Sequence, residues 1–384
     1  MVLLLTFLAS MSCGTVTTGI FFLTQHGYGF SPRANFLLAL VQGIAYTAGA
    51  FWAGRTIAAW RGFGNATRSA LLLLLLTLGG LCAVPWLVPG EGAVWALMAL
   101  YSPLNGMLWP LVESYVSGGR TGSELRRTIG AWNVTWSGAL VVSFLAIAPL
   151  AKEHPAAGLL ALGALHWLST FLLLGLPKEP AAHLHEAHVV PPGYRELLGT
   201  FRMLLPLTTF LLNVLAPALP IVFSRLAIAP ELAAALSGAW LLPRAITFWW
   251  LARREGWHGK RSTAVVGALV LLLGFAVALA SALLPAGAFG ITICMLGLIG
   301  YGIGMAVVYK AALYYAMEVG QAEVGAGGTH EALIGLGFAG GPALGLVSAS
   351  LATSEAGLLH ALLWPAAAIA FAISAWALLR SRRS

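Results

Sequence analysis

SALLLLLLTLGGLCAVPWLV, residues 69–88, is a run of twenty positions without a charged side chain. A segment of this length can cross about 30 Å of hydrocarbon as an α-helix. Lipid offers the backbone no hydrogen-bond partners, so only helices or closed barrels can span it. The apolar residues here are continuous rather than alternating, which favours a helix over a barrel strand. The stretch therefore predicts a membrane-spanning helix.

The remainder of the chain repeats this pattern. Hydrophobic residues make up 59% of the 384 residues and charged residues only 9%, whereas a soluble domain carries about 25% charged residues. We therefore expect an all-α membrane protein with twelve spans. Their approximate positions are residues 2–24, 33–55, 66–88, 92–116, 127–150, 156–176, 201–224, 231–252, 263–285, 288–317, 330–352 and 357–379.

The distribution of Lys and Arg predicts the orientation of these spans. Twelve spans place both termini on one side, and that side would hold sixteen of the 21 basic residues, against three on the other. The positive-inside rule then places both termini in the cytoplasm of a bacterial inner-membrane protein. The net charge of +8 is spread thinly between the spans, so we expect lipid and no nucleic acid as a partner.

The chain also shows signs of internal duplication. A shift of 198 positions carries several residues of the second and fourth spans onto the eighth and tenth. These are Pro32, Trp52, Arg55, Gly106 and Met107, which recur as Pro230, Trp250, Arg253, Gly304 and Met305. Such a repeat is expected of a duplicated six-helix unit. We expect an N-terminal six-helix bundle over residues 1–176, a polar cytoplasmic linker over 177–200, and a C-terminal six-helix bundle over 201–384.

Two loops carry a resemblance to a known family. Residues 53–64 read AGRTIAAWRGFG and residues 253–261 read RREGWHGKR. Together with the six-plus-six pattern, they resemble the Gly/Asp/basic signature of the major facilitator superfamily, although Gly256 stands in place of the aspartate. The resemblance implies two pseudo-symmetric bundles around a central cavity lined by spans 1, 4, 7 and 10. It also implies spans 2, 5, 8 and 11 at the interface between the bundles, and alternating access to the cavity.

Two cations lie within the spans, where a charge costs at least about 2.5 kcal/mol to insert. Arg244 lies in the middle of span 8. It either binds an anionic substrate or forms a buried ion pair, with Glu113, Glu318 or Glu331 as partner in the structural alternative. Lys310 lies deep in span 10, either as a substrate or gate cation or with its side chain extending to the cytoplasmic interface.

The acidic residues are candidates for coupling and gating. Glu113, near the end of span 4, could meet Lys310 as a gate and carry a coupling proton, or pair with Arg126 or Arg127. His330 and Glu331 begin span 11, where the helix dipole stabilises a carboxylate. Proton coupling through Glu331, with Glu318 opposite, is the alternative.

Uncharged polar and aromatic residues complete the expected cavity and gate. Amides seldom lie in hydrocarbon without a partner, so several within the spans indicate either a wet cavity or hydrogen bonds between helices. The residues concerned are Gln42, Tyr46, Asn105, Asn133, Asn213 and Tyr301, with Trp109, Trp132, Trp136 and Tyr309 as stacking surfaces or packing residues.

These features favour a secondary active transporter. We expect a monomer that moves a small anionic or zwitterionic solute by alternating access, coupled to protons, without cofactor or metal site. The histidines of the linker, His183, His185 and His188, match no standard metal site. No phosphate-binding Gly-rich loop or His-Glu-x-x-His motif occurs, so we do not expect an enzyme. The alternatives are a polyspecific efflux pump of the same fold and a non-transporting membrane sensor or scaffold.

Overall fold

The computed structural model describes residues 1–120, 122–147, 153–181, 191, 193–319 and 324–380. Every regular element in these ranges is helical. The α-helices are α1 (Val2–Gly14), α2 (Ile20–Gly27), α3 (Pro32–Gly62), α4 (Thr67–Leu87), α5 (Glu91–Ser117), α6 (Gly122–Ile147), α7 (Pro155–Leu172), α8 (Tyr194–Arg225), α9 (Pro230–Ser237), α10 (Leu241–Arg253), α11 (Arg261–Ala280), α12 (Ala288–Val319), α13 (Val324–Leu351) and α14 (Glu355–Arg380).

Ten helical segments of the described chain are long and apolar enough to cross a membrane, so the chain is a multi-pass membrane protein. They include all the helices except α5, α9 and α10, with α1 and α2 counted as one segment. Helix α5 is 27 residues long, but Asn105, Glu113 and two prolines make it less apolar. Helices α9 and α10 have only 8 and 13 residues. These three helices occupy the positions expected for spans 4 and 8.

Large apolar side chains lie on the outer faces of the helices. Phe51, Leu73, Leu273 and Phe371 are each more than half exposed, which a water-facing surface would not favour. Helix α8 is the exception, since 89% of its most apolar 18-residue stretch is buried. Helix α8 therefore runs through the centre of the molecule.

We call residues 1–176 the N-terminal half and residues 201–384 the C-terminal half. The most extensive contacts between the halves join α3 to α13 and α6 to α10. Glycines allow the backbones to approach closely along the first pair. A Cβ at Gly43 would lie 2.3 Å from the Phe338 carbonyl carbon, and one at Gly335 would lie 2.3 Å from the Thr47 hydroxyl.

The expected linker is shorter at its C-terminal end than the sequence suggested. Helix α8 begins at Tyr194, so the last residues of the 177–200 stretch are helical. The three histidines His183, His185 and His188 lie outside the described residues.

Candidate functional site

A cavity of about 110 Å³ lies between the two halves of the chain. Helices from both halves contribute to its wall, including α1, α3, α5 and α6 from the first and α8, α10, α12 and α13 from the second. Its lining residues are Ser10, Cys13, Gly14, Thr17, Thr18, Tyr46, Asn105, Trp109, Trp132, Trp136, Leu140, Thr209, Leu212, Trp240, Arg244, Met305, Tyr309, Glu331, Ile334 and Phe338.

Two irregular segments help to form this wall. The first is a π-helical turn, Thr15–Gly19, which joins α1 to α2 and places Thr17 and Thr18 at the cavity. Such a turn disturbs the regular hydrogen-bond ladder of the helix. The amide of Gln42 on α3 donates to the Thr17 carbonyl at 3.0 Å. Gln42 therefore supports the wall from behind rather than lining the cavity as expected.

The second irregular segment interrupts the expected span 8 at residues 238–240. Helix α9 ends at Ser237 and α10 begins at Leu241. Pro243 lies in the first turn of α10, where its missing N–H costs no hydrogen bond. The interruption places Trp240 in the cavity wall, one helical turn before Arg244.

Arg244 is 1% exposed and lies between two indole rings. Its guanidinium carbon lies 4.1 Å from the ring centroid of Trp136 and 4.4 Å from that of Trp240. Its Nη1 lies 3.9 Å from the sulfur of Met305, while Nε and Nη2 have no hydrogen-bond partner among the described residues. The described part of the chain gives Arg244 no ion pair, so the structural alternative of a pair with Glu113, Glu318 or Glu331 does not form.

Three tryptophans of the cavity wall donate their indole N–H groups to protein side chains. The indole N–H of Trp109 donates to Asn105 at 3.1 Å, and that of Trp136 donates to Asn133 at 2.9 Å. The indole N–H of Trp132 donates to Thr6 at 3.1 Å. These tryptophans therefore offer mainly ring surface to an occupant.

An acidic cluster adjoins the cavity where α5 meets α13. One ligand atom each from Glu113, His330 and Glu331 lies within 4.8 Å of the other two, and all three residues are buried. Tyr46 on α3 donates its hydroxyl to Glu331, while neither oxygen of Glu113 has a hydrogen-bond partner among the described residues. The cluster joins the halves, because Glu113 belongs to the first and Glu331 to the second.

This cluster is also the place where a metal ion would find ligands. Its three ligand atoms are fewer than the four of a closed zinc site. The expectation of no metal and no cofactor stays a prediction.

Lys310 and Glu113 do not form the gate contact that the sequence suggested. Lys310 is fully buried, and its ammonium donates to the Phe248 carbonyl at 3.2 Å. The same ammonium lies 5.8 Å from the ring centroid of Trp257. The side chain of Lys310 therefore holds α12 against α10 and does not extend to the membrane surface.

Other contacts between the halves lie near the start of α6. Arg126 donates to Glu255 and lies 3.4 Å from the imidazole of His258. The amide of Gly122 donates to Glu318 at 3.2 Å. Arg126 is therefore not the partner of Glu113, and Glu318 lies here rather than opposite Glu331. Burial, with the positive charge of Arg126 nearby, lowers the pKa of His258 below its ordinary value.

The structure thus divides the expected site residues into two groups. Tyr46, Asn105, Trp109, Arg244, Tyr309 and Glu331 line the cavity. Asn213 instead donates to the Thr209 carbonyl at 2.9 Å, and Tyr301 to the Thr208 carbonyl at 2.6 Å. Asn133 accepts from Trp136.

Several lining residues were not expected from the sequence, namely Cys13, Thr209, Trp240, Met305 and Phe338. Trp240 is the most important of them, because it stacks on Arg244. Gly238 and Pro243 on either side of Trp240 were a signal that the helix is interrupted there.

The arrangement of helices is similar to that of several solved structures. No family model and no curated relative matches the chain. Among solved structures, the nucleoside transporter NupG is 13% identical to this chain, with a TM-score of 0.68. The alignment covers 100% of this chain and 98% of the NupG chain. The human organic anion transporter MFSD10 has 18% identity and a TM-score of 0.63, covering 97% and 98%. The proton:xylose symporter XylE of the major facilitator superfamily has 13% identity and a TM-score of 0.68, covering 98% and 94%.

At this level of identity the likeness establishes the fold. The chain has the fold of the major facilitator superfamily. These three neighbours are transporters by name, and the expectation that this chain is not an enzyme stays a prediction.

Proposed function

We propose that this major facilitator chain is a proton-coupled secondary active transporter of a small organic anion or zwitterion. In this proposal twelve spans form two six-helix bundles, residues 1–176 and 201–384, joined by the linker 177–200. The α5 segment supplies span 4, and α9 with α10 supplies span 8. The protein acts as a monomer in a bacterial inner membrane, with both termini in the cytoplasm.

The single observation that carries the proposal is the position of Arg244. A buried guanidinium with free donors lies in a cavity between the two halves. A cation at this depth is costly unless it meets an anion, and a mobile anion from solution can supply that charge. One neighbour of the same fold is an organic anion transporter, which agrees with this assignment.

Proton coupling is assigned to Glu113 and Glu331. Their carboxylates lie within 4.8 Å of each other in a buried site, where two negative charges repel each other strongly. A proton bound to the pair removes this repulsion. When the halves separate at this point, α5 moves away from α13, water reaches the carboxylates, and the proton leaves.

The groups around the pair are consistent with this role. Tyr46 of α3 donates to Glu331, and Tyr309 of α12 packs edge-on against His330 with ring centroids 5.3 Å apart. The positive charge of Arg202 on α8 also acts on His330. Because Glu331 also lines the cavity, the charge of an occupant acts directly on the proton-binding pair.

The proposal is tested with purified protein, first by a thermal-shift screen and then in proteoliposomes. The screen presents organic acids, amino acids, sugars, nucleosides and organic cations at acidic, neutral and alkaline pH. Each ligand that stabilises the protein is then added to proteoliposomes that contain a pH-sensitive dye. We expect an organic anion or zwitterion to stabilise the protein and to carry protons across the membrane.

Replacement of either carboxylate separates coupling from transport. Glu113→Gln and Glu331→Gln should abolish proton movement while substrate exchange across the membrane continues. Glu91→Gln is the matched control, because Glu91 is an exposed residue of the same helix as Glu113. Unchanged proton movement in both cluster variants would refute the coupling. Absence of transport for every stabilising ligand would refute the transporter.

A further inference from the structure

We infer that the cavity selects a monocarboxylate whose body is a flat aromatic ring. This inference rests on the proposed function and names the class of substrate. Three properties of the wall lead to it: the open edge of Arg244, the charge balance of the cavity, and the ring surfaces whose polar groups are already occupied.

The first property is the geometry around Arg244. The guanidinium carbon lies 4.1 Å from the ring centroid of Trp136 and 4.4 Å from that of Trp240. The two nitrogens without partners, Nε and Nη2, lie on the same edge of the group. Two parallel N–H bonds at this spacing match the two oxygens of a carboxylate.

The second property is the charge of the cavity. Among the lining residues, Arg244 is the one cation and Glu331 the one carboxylate. A phosphate monoester carries about −1.5 to −2 charges at neutral pH, which is more than one guanidinium offsets beside a carboxylate. A carboxylate carries a single negative charge. The balance therefore favours a monocarboxylate, and Arg244 repels an organic cation.

The third property is the aromatic surface that the wall presents. The indoles of Trp109, Trp132 and Trp136 donate to protein side chains. The hydroxyls of Thr17 and Thr209 donate to the backbone carbonyls of their own helices or of a neighbouring helix.

An aromatic ring stacks on the faces of these indoles without needing their N–H groups. The wall of the cavity therefore favours an aromatic body.

The test is a matched series of probes on the purified wild-type protein, read by quenching of tryptophan fluorescence and by thermal shift. The probes are 3-phenylpropanoate, its saturated analogue 3-cyclohexylpropanoate, the neutral alcohol 3-phenylpropanol, 2-phenylethyl phosphate and glucose. We expect 3-phenylpropanoate to bind most tightly, with the alcohol and the phosphate weaker by about tenfold or more. The saturated acid should be weaker by about three- to tenfold.

Variants locate this binding at the cavity. Arg244→Gln and Arg244→Lys should each weaken the binding of 3-phenylpropanoate. The effect of Arg244→Lys should be smaller, because lysine keeps the charge but lacks the planar guanidinium fork. Arg253→Gln is the matched control, since Arg253 also stacks on a tryptophan, Trp249, at 4.1 Å but is exposed outside the cavity. The Arg253→Gln variant should bind 3-phenylpropanoate with the affinity of the wild type.

The outcomes separate this inference from the proposed function. If the alcohol, the phosphate or glucose binds the wild type as tightly as the acid, or if Arg244→Gln retains full affinity, the substrate class is wrong, whether or not transport occurs. If the acid binds through Arg244 but no substrate gradient or pH gradient drives its uptake into proteoliposomes, the transporter assignment fails while the binding site remains.

Discussion

Arg244 shows how one residue can favour binding at the expense of stability. Its guanidinium is buried with two tryptophans and a methionine sulfur as neighbours. Cation–π contacts contribute about 0.5–2 kcal/mol each, which does not fully replace the hydration of a charged group. The ligand-free protein therefore retains a cation that is only partly satisfied.

Replacement of Arg244 by Met should consequently raise stability and abolish binding. We expect the ligand-free Arg244→Met variant to be more stable by about 1–3 kcal/mol, because an apolar side chain of similar length packs between the indoles without a desolvation cost. The measurement is the unfolding midpoint in detergent, compared with the wild type. A lower midpoint would show that Arg244 has a structural role instead.

The functional polar residues were easier to predict from the sequence than their hydrogen-bond partners. A charge at membrane depth requires compensation, so Arg244 could be identified from its position alone, whereas Glu331 was expected to be stabilised by the helix dipole. A polar side chain in a span is satisfied either by water in a cavity or by a backbone carbonyl of a neighbouring helix. The sequence does not distinguish the two, and Gln42 and Lys310 both bind carbonyls.

At the level of elements, hydropathy predicted the helices well and their interruptions poorly. The ends of α4, Thr67 and Leu87, lie within one residue of the expected 66–88, because a polar loop precedes the run and Pro89-Gly90 follows it. The π-helical turn at Thr15–Gly19 and the interruption before Leu241 were not predicted, although Gly238 and Pro243 mark the second one in the sequence. Hydropathy averaged over a span does not detect them.

The interruption in span 8 depends on a glycine of α12. A Cβ at Gly302 would lie 2.1 Å from the carbonyl oxygen of Trp240. The 198-residue repeat aligns Gly304 with Gly106. In the first half, Gly106 packs against the Tyr46 carbonyl. In the second half, the glycine that packs against the Trp240 carbonyl is Gly302 and not Gly304. The packing in the two halves is similar but not in the same register.

Gly302→Ala should therefore displace Trp240. We expect destabilisation of about 1–3 kcal/mol from overpacking against backbone, together with weaker binding at Arg244. Gly300→Ala is the control on the same helix, because its Cβ would make an ordinary contact at 3.4 Å with Gly274. Unfolding midpoints of the two variants provide the comparison, and equal midpoints would contradict the close approach.

A second element-level contact ties the segment after α7 to the start of α4. Glu179 accepts from the backbone amide of Thr67 at 2.8 Å and pairs with Arg61 at 2.7 Å. Partial burial raises the pKa of Glu179, but the hydrogen bonds from Thr67 and the charge of Arg61 outweigh it, so the pKa is lower than its ordinary value.

A lowered pKa stabilises the fold at pH values above the unfolded-state pKa of about 4.3. This contribution is lost as pH falls through the folded-state pKa. Glu179→Gln should therefore be less stable than the wild type near neutral pH, and the difference should shrink in acid. Unfolding midpoints measured across this pH range test the prediction, and a difference that is constant with pH would contradict it.

For the whole molecule, the proposed alternating access requires the two halves to stay together on one side of the cavity while they separate on the other. The Arg126–Glu255 pair and the Gly122–Glu318 hydrogen bond join the halves near the start of α6. The sequence predicted basic residues in this region but not these pairings, because each contact joins residues about 130 to 200 positions apart in sequence.

Glu255→Gln should shift the balance between the arrangements toward separation at this end. The side chain of Glu255 is 76% exposed, so the pair contributes at most about 1 kcal/mol, which changes the ratio of the two arrangements by about fivefold. Spin labels at the exposed positions Ser123 on α6 and Lys260 before α11 report the distance between the halves. The three native cysteines, Cys13, Cys82 and Cys294, are buried, but Cys13 lines the cavity, so the labelled cysteines are introduced into a Cys13→Ser background.

We expect the longer-distance population between these labels to grow in Glu255→Gln and to shrink again when a ligand binds at Arg244. Binding favours the arrangement in which both halves complete the cavity wall, and it can shift the populations only through this difference in affinity. Glu91→Gln removes an exposed carboxylate elsewhere and should leave the distances unchanged. A distribution identical in Glu255→Gln and the wild type would show that this pair does not control the separation of the halves.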